Sequence, residues 1–308
     1  MTDQNAGRNA ALDDAAELLA ANPDFRVLRR LVPHDDFGGG AQGAVAAGVI
    51  VDTETTGTRR AADQIIELGM VRFDYDEGSG AVLRVTQVYS ALEDPGRPIP
   101  PESTAIHGIT DEMVAGKRID DARVAEVLAG VRVVVAHNAG FDRTFLEPRL
   151  PIFETLPWGC SYAQVPWEDE GFRGTKLEYL AWSSGFFYDA HRSEIDCRAL
   201  LELLRRPLPR SGKLAFRVLL DAVAEPALRL WATGSPFDSK DALRERGYRW
   251  DAERRVWHRL LPKAAAKEES EWLKTAVYGG RPAQIEVEVL DAKIRFSERP
   301  GPRKARVI

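Results

Sequence analysis

Hydrophobic and polar positions in the first half of the chain follow strand-like patterns. The apolar run Val45–Glu54 ends in acidic residues and predicts a buried strand. Two further strand-like runs, Ile65–Tyr75 and Val82–Tyr89, are separated by Asp76-Glu77-Gly78-Ser79-Gly80, which is typical of a hairpin turn. The β-branched run Val131–Ala136 predicts another buried strand.

Helix-like patterns come between and after the later strands, at Asp120–Ala129, Asp142–Leu146, Leu177–Trp182 and Glu194–Leu204. Three successive strands followed by alternating strand and helix predict an α/β fold, with a mixed sheet and helices on both faces.

Both ends of the chain differ from this central part. Residues 1–45 contain helix-like stretches at Ala10–Ala21 and Phe25–Leu31 and a glycine-rich linker, so we predict a helical extension. After a helix predicted at Lys213–Ala224, the stretch Trp231–Arg259 is dense in Trp, Tyr and Arg. The predicted divisions are an extension at 1–45, a main domain at 46–206, a small α+β module at 207–298 and a disordered basic tail at 299–308.

Charge is unevenly distributed along the chain, although the net value is only −5. Residues 201–308 contain 23 Lys and Arg against 15 Asp and Glu, whereas residues 1–200 contain 19 against 32. We therefore expect the acidic part to bind cations and the basic part to bind phosphate.

Two features predict a cytoplasmic protein without membrane contact. The sequence contains no long apolar run and no secretory signal pattern. Its two cysteines, Cys160 and Cys197, lack zinc-type spacing and suit a reducing compartment.

Acidic side chains follow two of the predicted strands. Asp52 and Glu54 are two residues apart, so their carboxylates lie on the same side of a strand, where a hard cation such as Mg²⁺ or Mn²⁺ would neutralise them. Alternatively, they are a strand-end cap and a surface acid. Asp142 comes just after the strand Val131–Ala136 and converges on the pair if the strands are neighbours, or else caps a helix.

A histidine precedes another acid later in the chain. Five positions on a regular helix separate side chains by about 140°, so we place His191 in a loop and Asp196 in the first turns of the next helix. Asp196 can then bind metal while His191 acts as general base, although a lone histidine is more often structural.

These three motifs, in their order and spacing, resemble those of the DEDDh (DnaQ-like) exonucleases. They are Asp52-Thr53-Glu54-Thr55-Thr56-Gly57, then His137-Asn138-Ala139-Gly140-Phe141-Asp142, then His191 with Asp196. The resemblance covers about residues 47–204 and implies an RNase H-like fold. Cys160 departs from the family pattern, because relatives commonly have an aspartate there, on the strand that follows the second motif.

The resemblance implies a metal-dependent 3′→5′ exonuclease that releases nucleoside 5′-monophosphates by a two-metal mechanism. Asp52, Glu54, Asp142 and Asp196 would bind two Mg²⁺ or Mn²⁺ ions, and His191 would be the general base. The segment Pro101–Asp111 looks like the family's His-Gly-Ile-Thr loop. His107 would therefore contact substrate, with Thr55 and Phe141 as weaker candidates; ordinary packing is the alternative for Phe141.

The expected partners are single-stranded DNA or RNA 3′ ends, with DNA favoured, and a polymerase or repair protein that binds residues 1–45. The competing hypotheses are an exoribonuclease and an inactive nuclease fold that serves as a binding module or polymerase accessory. In the C-terminal module, aromatic and basic residues alternate, which suits nucleic-acid binding. Trp250 and Trp257 are nevertheless expected to form the module's own core, and the role of the basic residues stays open.

Overall fold

The computed structural model describes the backbone of residues 2–308 and the side chains of residues 11–308. The strands are β1 Arg29–Arg30, β2 Val45–Thr55, β3 Ile65–Asp76, β4 Val82–Leu92, β5 Val131–Ala136, β6 Trp158–Cys160, β7 Phe186–Phe187, β8 Ala227–Ala232, β9 Arg249–Asp251, β10 Val256–Pro262, β11 Gln284–Leu290 and β12 Arg303–Val307. The helices are α1 Thr2–Ala20, α2 Pro101–His107, α3 Asp111–Val114, α4 Asp121–Leu128, α5 Ala139–Arg149, α6 Ser161–Gln164, α7 Leu177–Ser183, α8 Ser193–Leu204, α9 Ala215–Ala224, α10 Lys240–Glu245 and α11 Ala266–Trp272.

The main domain is built on a mixed sheet with strand order β4-β3-β2-β5-β6. β2, β3 and β4 form the antiparallel meander, and β5 pairs in parallel with β2 on one side and β6 on the other. Because β2 and β5 run in the same direction side by side, their carboxyl ends meet at one edge of the sheet. This arrangement confirms the predicted RNase H-like fold.

Helices cover both faces of this sheet. On one face, α7, α8 and α9 pack against side chains such as Ile50, Phe73 and Val135. On the other, α4 and α5 pack against side chains such as Val51 and Met70. The near-continuous apolar character of β2 and β5 follows from burial on both sides.

The helix α9 belongs to the main domain, which corrects the predicted boundary at 206/207. Its Phe216 ring lies 5.2 Å from the Phe73 ring and 5.0 Å from the Tyr75 ring, in edge-on contacts. The helix was predicted, but its apolar face packs on the first sheet rather than on the module, and the second sheet begins only at Ala227.

The C-terminal module has its own antiparallel sheet, with order β12-β11-β8-β10-β9. Residues 303–307 form β12 and pair with β11, so the predicted disordered tail is wrong: backbone pairing orders this segment despite its charge. Trp257 packs against the module's core, whereas Trp250 lies on the edge strand and is 49% exposed. The prediction that both tryptophans form the core is therefore wrong for Trp250.

The N-terminal extension begins with α1 but does not continue as a helix. Residues Phe25–Leu31, predicted to be helix-like, are extended, because β1 pairs in parallel with β7 of the main domain. Arg26 donates hydrogen bonds of 2.9 Å to the carbonyls of Trp182 and Ser183, and its guanidinium stacks 3.9 Å from the Trp182 ring centre.

Residues 291–299 join the two folded parts. The Trp158 amide at the edge of the main sheet donates to the Ala292 carbonyl at 2.7 Å. Arg143 is fully buried and donates to the carbonyls of Ala292 and Arg295 at 3.3 and 2.7 Å. The C-terminal module is thus hydrogen-bonded to α5, the helix that also contains Asp142.

Among the residues that the structure describes, none of the helices has both the length and the hydropathy needed to cross a bilayer.

One buried carboxylate organises the hairpin between β3 and β4. Asp76 accepts hydrogen bonds from the Ser79 amide at 2.8 Å, the Ser79 hydroxyl at 2.9 Å, and the Gln42 and Gly43 amides at 2.9 and 2.7 Å. The bonds from Ser79, followed by that from Gly43, lower the Asp76 pKa to about 2.

We predict that Asp76→Asn destabilises the protein in a pH-dependent way. Because folding lowers this pKa, the ionised group stabilises the folded state above its unfolded pKa of about 3.9, and that stabilisation is lost as the pH falls towards about 2. Urea unfolding at several pH values should show a gap between wild type and variant at pH 6 that closes in acid. Asp189→Asn, at a side chain that is 82% exposed, is the control; a gap that does not depend on pH would contradict the assignment.

Candidate active site

The end of β2 presents the first two acids. Asp52 lies opposite Gly69 of β3, and Glu54 lies opposite Glu67. The register between the two strands shifts after Glu54, which marks a bulge, and bulges commonly redirect side chains next to functional sites. Asp52 and Glu54 point to the same side of the sheet, as predicted from their spacing.

The helix α8 brings the third acid to this edge through a very close approach to β3. A Cβ atom added to Gly69 would lie 2.4 Å from the Ser193 carbonyl carbon, so only glycine permits this contact. Asp196 is then held in the first turn of α8 by the Arg192 amide at 3.0 Å and the Tyr188 hydroxyl at 3.2 Å.

Three of the predicted acids converge and the fourth lies behind them. Carboxylate oxygens of Asp52, Glu54 and Asp196 all lie within 4.8 Å of one another. Asp142, buried at the start of α5, accepts hydrogen bonds from the Thr53 amide and hydroxyl at 3.0 and 2.9 Å. Both bonds are accepted by Oδ1 of Asp142 and fix this side chain to β2, whereas Asp142 Oδ2 accepts no bond from Thr53.

Burial raises the pKa of every acid in the cluster, and neighbouring carboxylates raise the pKa of Asp52, Glu54 and Asp142 further. Burial is the largest cause in each case; it raises the pKa of Glu54 to about 8, of Asp142 to about 7 and of Asp196 to about 6. The pKa of Asp52 is raised well above its ordinary value by burial and then by the charges of Asp142 and Asp196. A divalent cation would remove this penalty, and carboxylate oxygens are the ligands that Mg²⁺ and Mn²⁺ prefer.

His191 lies where the sequence places it, in the loop immediately before α8. Its backbone has a φ of 66°, which is uncommon for a residue with a side chain and marks a constrained turn. The imidazole is exposed to solvent and lies near enough to Asp196 to lower that group's pKa if it is charged.

The three candidate substrate contacts differ in their surroundings. The Nδ1 atom of buried His107 accepts a hydrogen bond from the Ile109 amide at 3.0 Å, while Nε2, among the described residues, has no well-formed partner. Thr55 is buried and donates to the Gly57 carbonyl at 2.6 Å. The Phe141 ring packs 5.0 Å from Phe145, so packing accounts for much of its surface.

Two other polar side chains of the motifs have structural partners. His137, in the second motif, has its ring nitrogens 2.7 Å from the Ser161 hydroxyl and 2.7 Å from the Thr175 carbonyl, and burial lowers its pKa to about 4. Cys160 accepts a hydrogen bond from the Ala139 amide at 3.3 Å and so supports the start of α5.

Comparison with known proteins decides the family. A family profile described as "Exonuclease" (RNase T type) matches residues 49–204, which is half of the chain. The chain is 34% identical over 175 residues to the DNA polymerase III subunit epsilon of Treponema pallidum (strain Nichols), covering 53% of this chain and 76% of that protein. It is 31% identical over 214 residues to exodeoxyribonuclease 10 of Escherichia coli (strain K12), covering 65% and 88%.

The chain belongs to the DEDDh (DnaQ-like) exonuclease family. The predicted family and the predicted 3′→5′ exonuclease activity are thereby confirmed, and the acidic cluster fits the family's dependence on metal. Among solved structures, exonuclease X in complex with 5′ overhanging duplex DNA matches at 27% identity with a TM-score of 0.41, covering 57% of this chain and 99% of that one.

Glu67 of this exonuclease supports the cluster but belongs to none of the predicted motifs. The residue is only 1% exposed, and its carboxylate accepts hydrogen bonds from Arg192 Nη2 at 2.8 Å and from the Ser193 amide at 3.0 Å. It therefore anchors the N-terminus of α8 to β3, next to the cluster. The one available signal was a charged residue inside the apolar run Ile65-Ile66-Glu67-Leu68, where an acid is costly without a partner.

We predict that Glu67→Gln lowers exonuclease activity by about 10- to 100-fold, the range seen when the residues that support metal ligands are changed. The amide keeps the size of the side chain but loses the charged bond to Arg192, so α8 and Asp196 are held less firmly. The loss should fall mainly on kcat and should be larger in Glu67→Ala.

Glu77→Gln, at an exposed position of the hairpin, is the control. Thermal unfolding of each variant shows whether the fold is retained. If folded Glu67→Ala had the activity of wild type, the anchoring role would be ruled out.

Proposed function

We propose that this exonuclease removes nucleotides one at a time from the 3′ end of single-stranded or frayed DNA, using two Mg²⁺ or Mn²⁺ ions. The observation that carries the proposal is the convergence of the Asp52, Glu54 and Asp196 carboxylates within 4.8 Å, beside Asp142 and next to an exposed histidine. Such a concentration of partly and fully buried carboxylates is unfavourable unless cations are bound.

The four acids have distinct parts in this proposal. Asp52 would contribute to both ion sites, because the charges of Asp142 and Asp196 both act on it. Glu54 and Asp196 would complete the first site, and Asp142 the second. When bound, the ions would lower the pKa of the attacking water and stabilise negative charge on the departing 3′ oxygen. Hydrogen bonds from Thr53 to Asp142 and from Tyr188 to Asp196 help to orient these two carboxylates.

His191 would act as the general base and accept the proton of the attacking water. Its exposed imidazole can release that proton to solvent, and its loop is fixed because the next residue, Arg192, bonds to both Glu67 and Asp196. His107, whose buried Nε2 lacks a well-formed partner among the described residues, is the candidate to contact the terminal nucleotide.

Two relatives support DNA as the substrate, because their names are DNA polymerase III subunit epsilon and exodeoxyribonuclease 10. The proposed partner is a polymerase or repair protein that binds residues 1–45. In the described part of that extension, Leu12 and Leu18 of α1 are largely exposed, which suits a docking helix. The free thiols of Cys160 and Cys197 are compatible with the cytoplasmic location that we propose.

The test is degradation of 5′-labelled and 3′-labelled single-stranded DNA and RNA of equal sequence in Mg²⁺ or Mn²⁺. Wild type should release mononucleotides from the 3′ end of DNA, and EDTA should abolish the reaction. Asp52→Ala should fall to background because both ion sites lose a ligand. His191→Ala should lose about 10²- to 10⁴-fold, the usual contribution of a general base.

Asp221→Ala and His34→Ala, both at exposed positions away from the cluster, should keep full activity. Faster release from RNA than from DNA would show that RNA, not DNA, is the preferred substrate. Release of nucleotides from the 5′ end would contradict the 3′→5′ polarity. A folded wild-type protein that binds the strands without cutting them would favour the binding-module hypothesis.

A further inference from the structure

The C-terminal module exposes aromatic rings that its own core does not use. Phe237 is 77% exposed and Trp250 is 49% exposed, and both line a pocket of about 530 Å³ together with the partly buried Trp257. The Trp250 and Trp257 rings lie 5.5 Å apart at 60°. The core of the module is instead built from buried residues such as Leu230, Leu243 and Ile285.

Cations surround these rings. Lys240 Nζ lies 4.3 Å from the centre of the Phe237 ring, and Arg244 and Arg255 also line the pocket. Among the described residues, the side chains that line it include no carboxylate, although Asp241 pairs with Arg244 at 3.1 Å outside the lining. The pocket is thus aromatic and positively charged in a chain whose net charge is −5.

Its position also leaves room for an extended ligand. β9, which contains Trp250, is the edge strand of the module's sheet and pairs on one side only, with β10. Phe237 lies on the turn before α10, so the two exposed rings come from separate elements with the pocket between them.

We propose that this pocket binds unpaired nucleotides of single-stranded nucleic acid. Bases stack on Phe237 and Trp250, and phosphates lie against Lys240 and Arg255. This proposal rests on one part of the proposed function, namely that the protein acts on nucleic acid. The combination of exposed rings and unneutralised cations is what unpaired strands require, because every base offers a face for stacking and every linkage carries a charge. An apolar protein partner would not need the cations.

The experiment measures binding of fluorescent circular single-stranded oligonucleotides to the full chain by anisotropy, at one fixed salt concentration. A circle has no 3′ end for the exonuclease site to hold, so the readout reports binding away from that site. Circular oligodeoxythymidylate and oligouridylate distinguish DNA from RNA, and a closed duplex of equal length tests the need for unpaired bases.

Trp250→Ala and Phe237→Ala should each weaken binding about tenfold, the usual loss of one stacked base. Phe237→Ala keeps the test valid if Trp250→Ala misfolds, because that ring contributes little to the core. Arg255→Glu should weaken binding more than Arg306→Glu, its charge-matched control on the opposite edge strand, and Val307→Ala is the matched apolar control.

Equal losses for Arg255→Glu and Arg306→Glu would mean that net charge alone attracts the strand and would overturn the proposal. Unchanged binding in both aromatic variants would also overturn it and would leave the pocket to a protein ligand. If the protein bound the circular strands as expected but released no nucleotides from 3′ ends, only the proposed function would be contradicted.

Discussion

The close contact of α8 with β3 at Gly69 is the constraint on which the site depends. It places the first turn of α8 against the end of β2, so that Asp196 meets Asp52 and Glu54 at the edge of a sheet that is buried on both faces. Like charges are forced together there, and burial raises the pKa of each. Ionisation of these carboxylates is therefore unfavourable in the folded metal-free protein, and a bound cation would remove this free-energy cost.

Supporting contacts hold this unfavourable cluster in place. Glu67 fixes the start of α8 through Arg192 and the Ser193 amide, and Thr53 fixes Asp142. The helix α5 is in turn fixed at Arg143, which donates to carbonyls of residues 291–299. Arg143 is the residue next to Asp142. The C-terminal module is therefore hydrogen-bonded to α5, the same helix that contributes Asp142 to the active site.

Local patterns were enough to predict what depends on local geometry. Strand alternation placed Asp52 and Glu54 on one side of β2, and the five-residue spacing placed His191 before α8 and Asp196 within it. The missed features depend on pairing between distant segments. Glu67 is explained only by its contact with Arg192, and residues 303–307 become a strand only because β11 offers an edge. Trp250 was expected to be buried because hydrophobicity does not reveal that β9 is an edge strand.

The most direct test of the central claim is thermal unfolding of metal-free wild type and Asp52→Asn, each with and without Mn²⁺. Because burial and the neighbouring carboxylates disfavour the ionised form of Asp52, replacing it with a neutral amide removes this cost and raises the Tm of the metal-free protein at neutral pH. The same change removes most of the increase that Mn²⁺ gives to wild type. A lower Tm for metal-free Asp52→Asn, or an undiminished increase with Mn²⁺, would contradict the account.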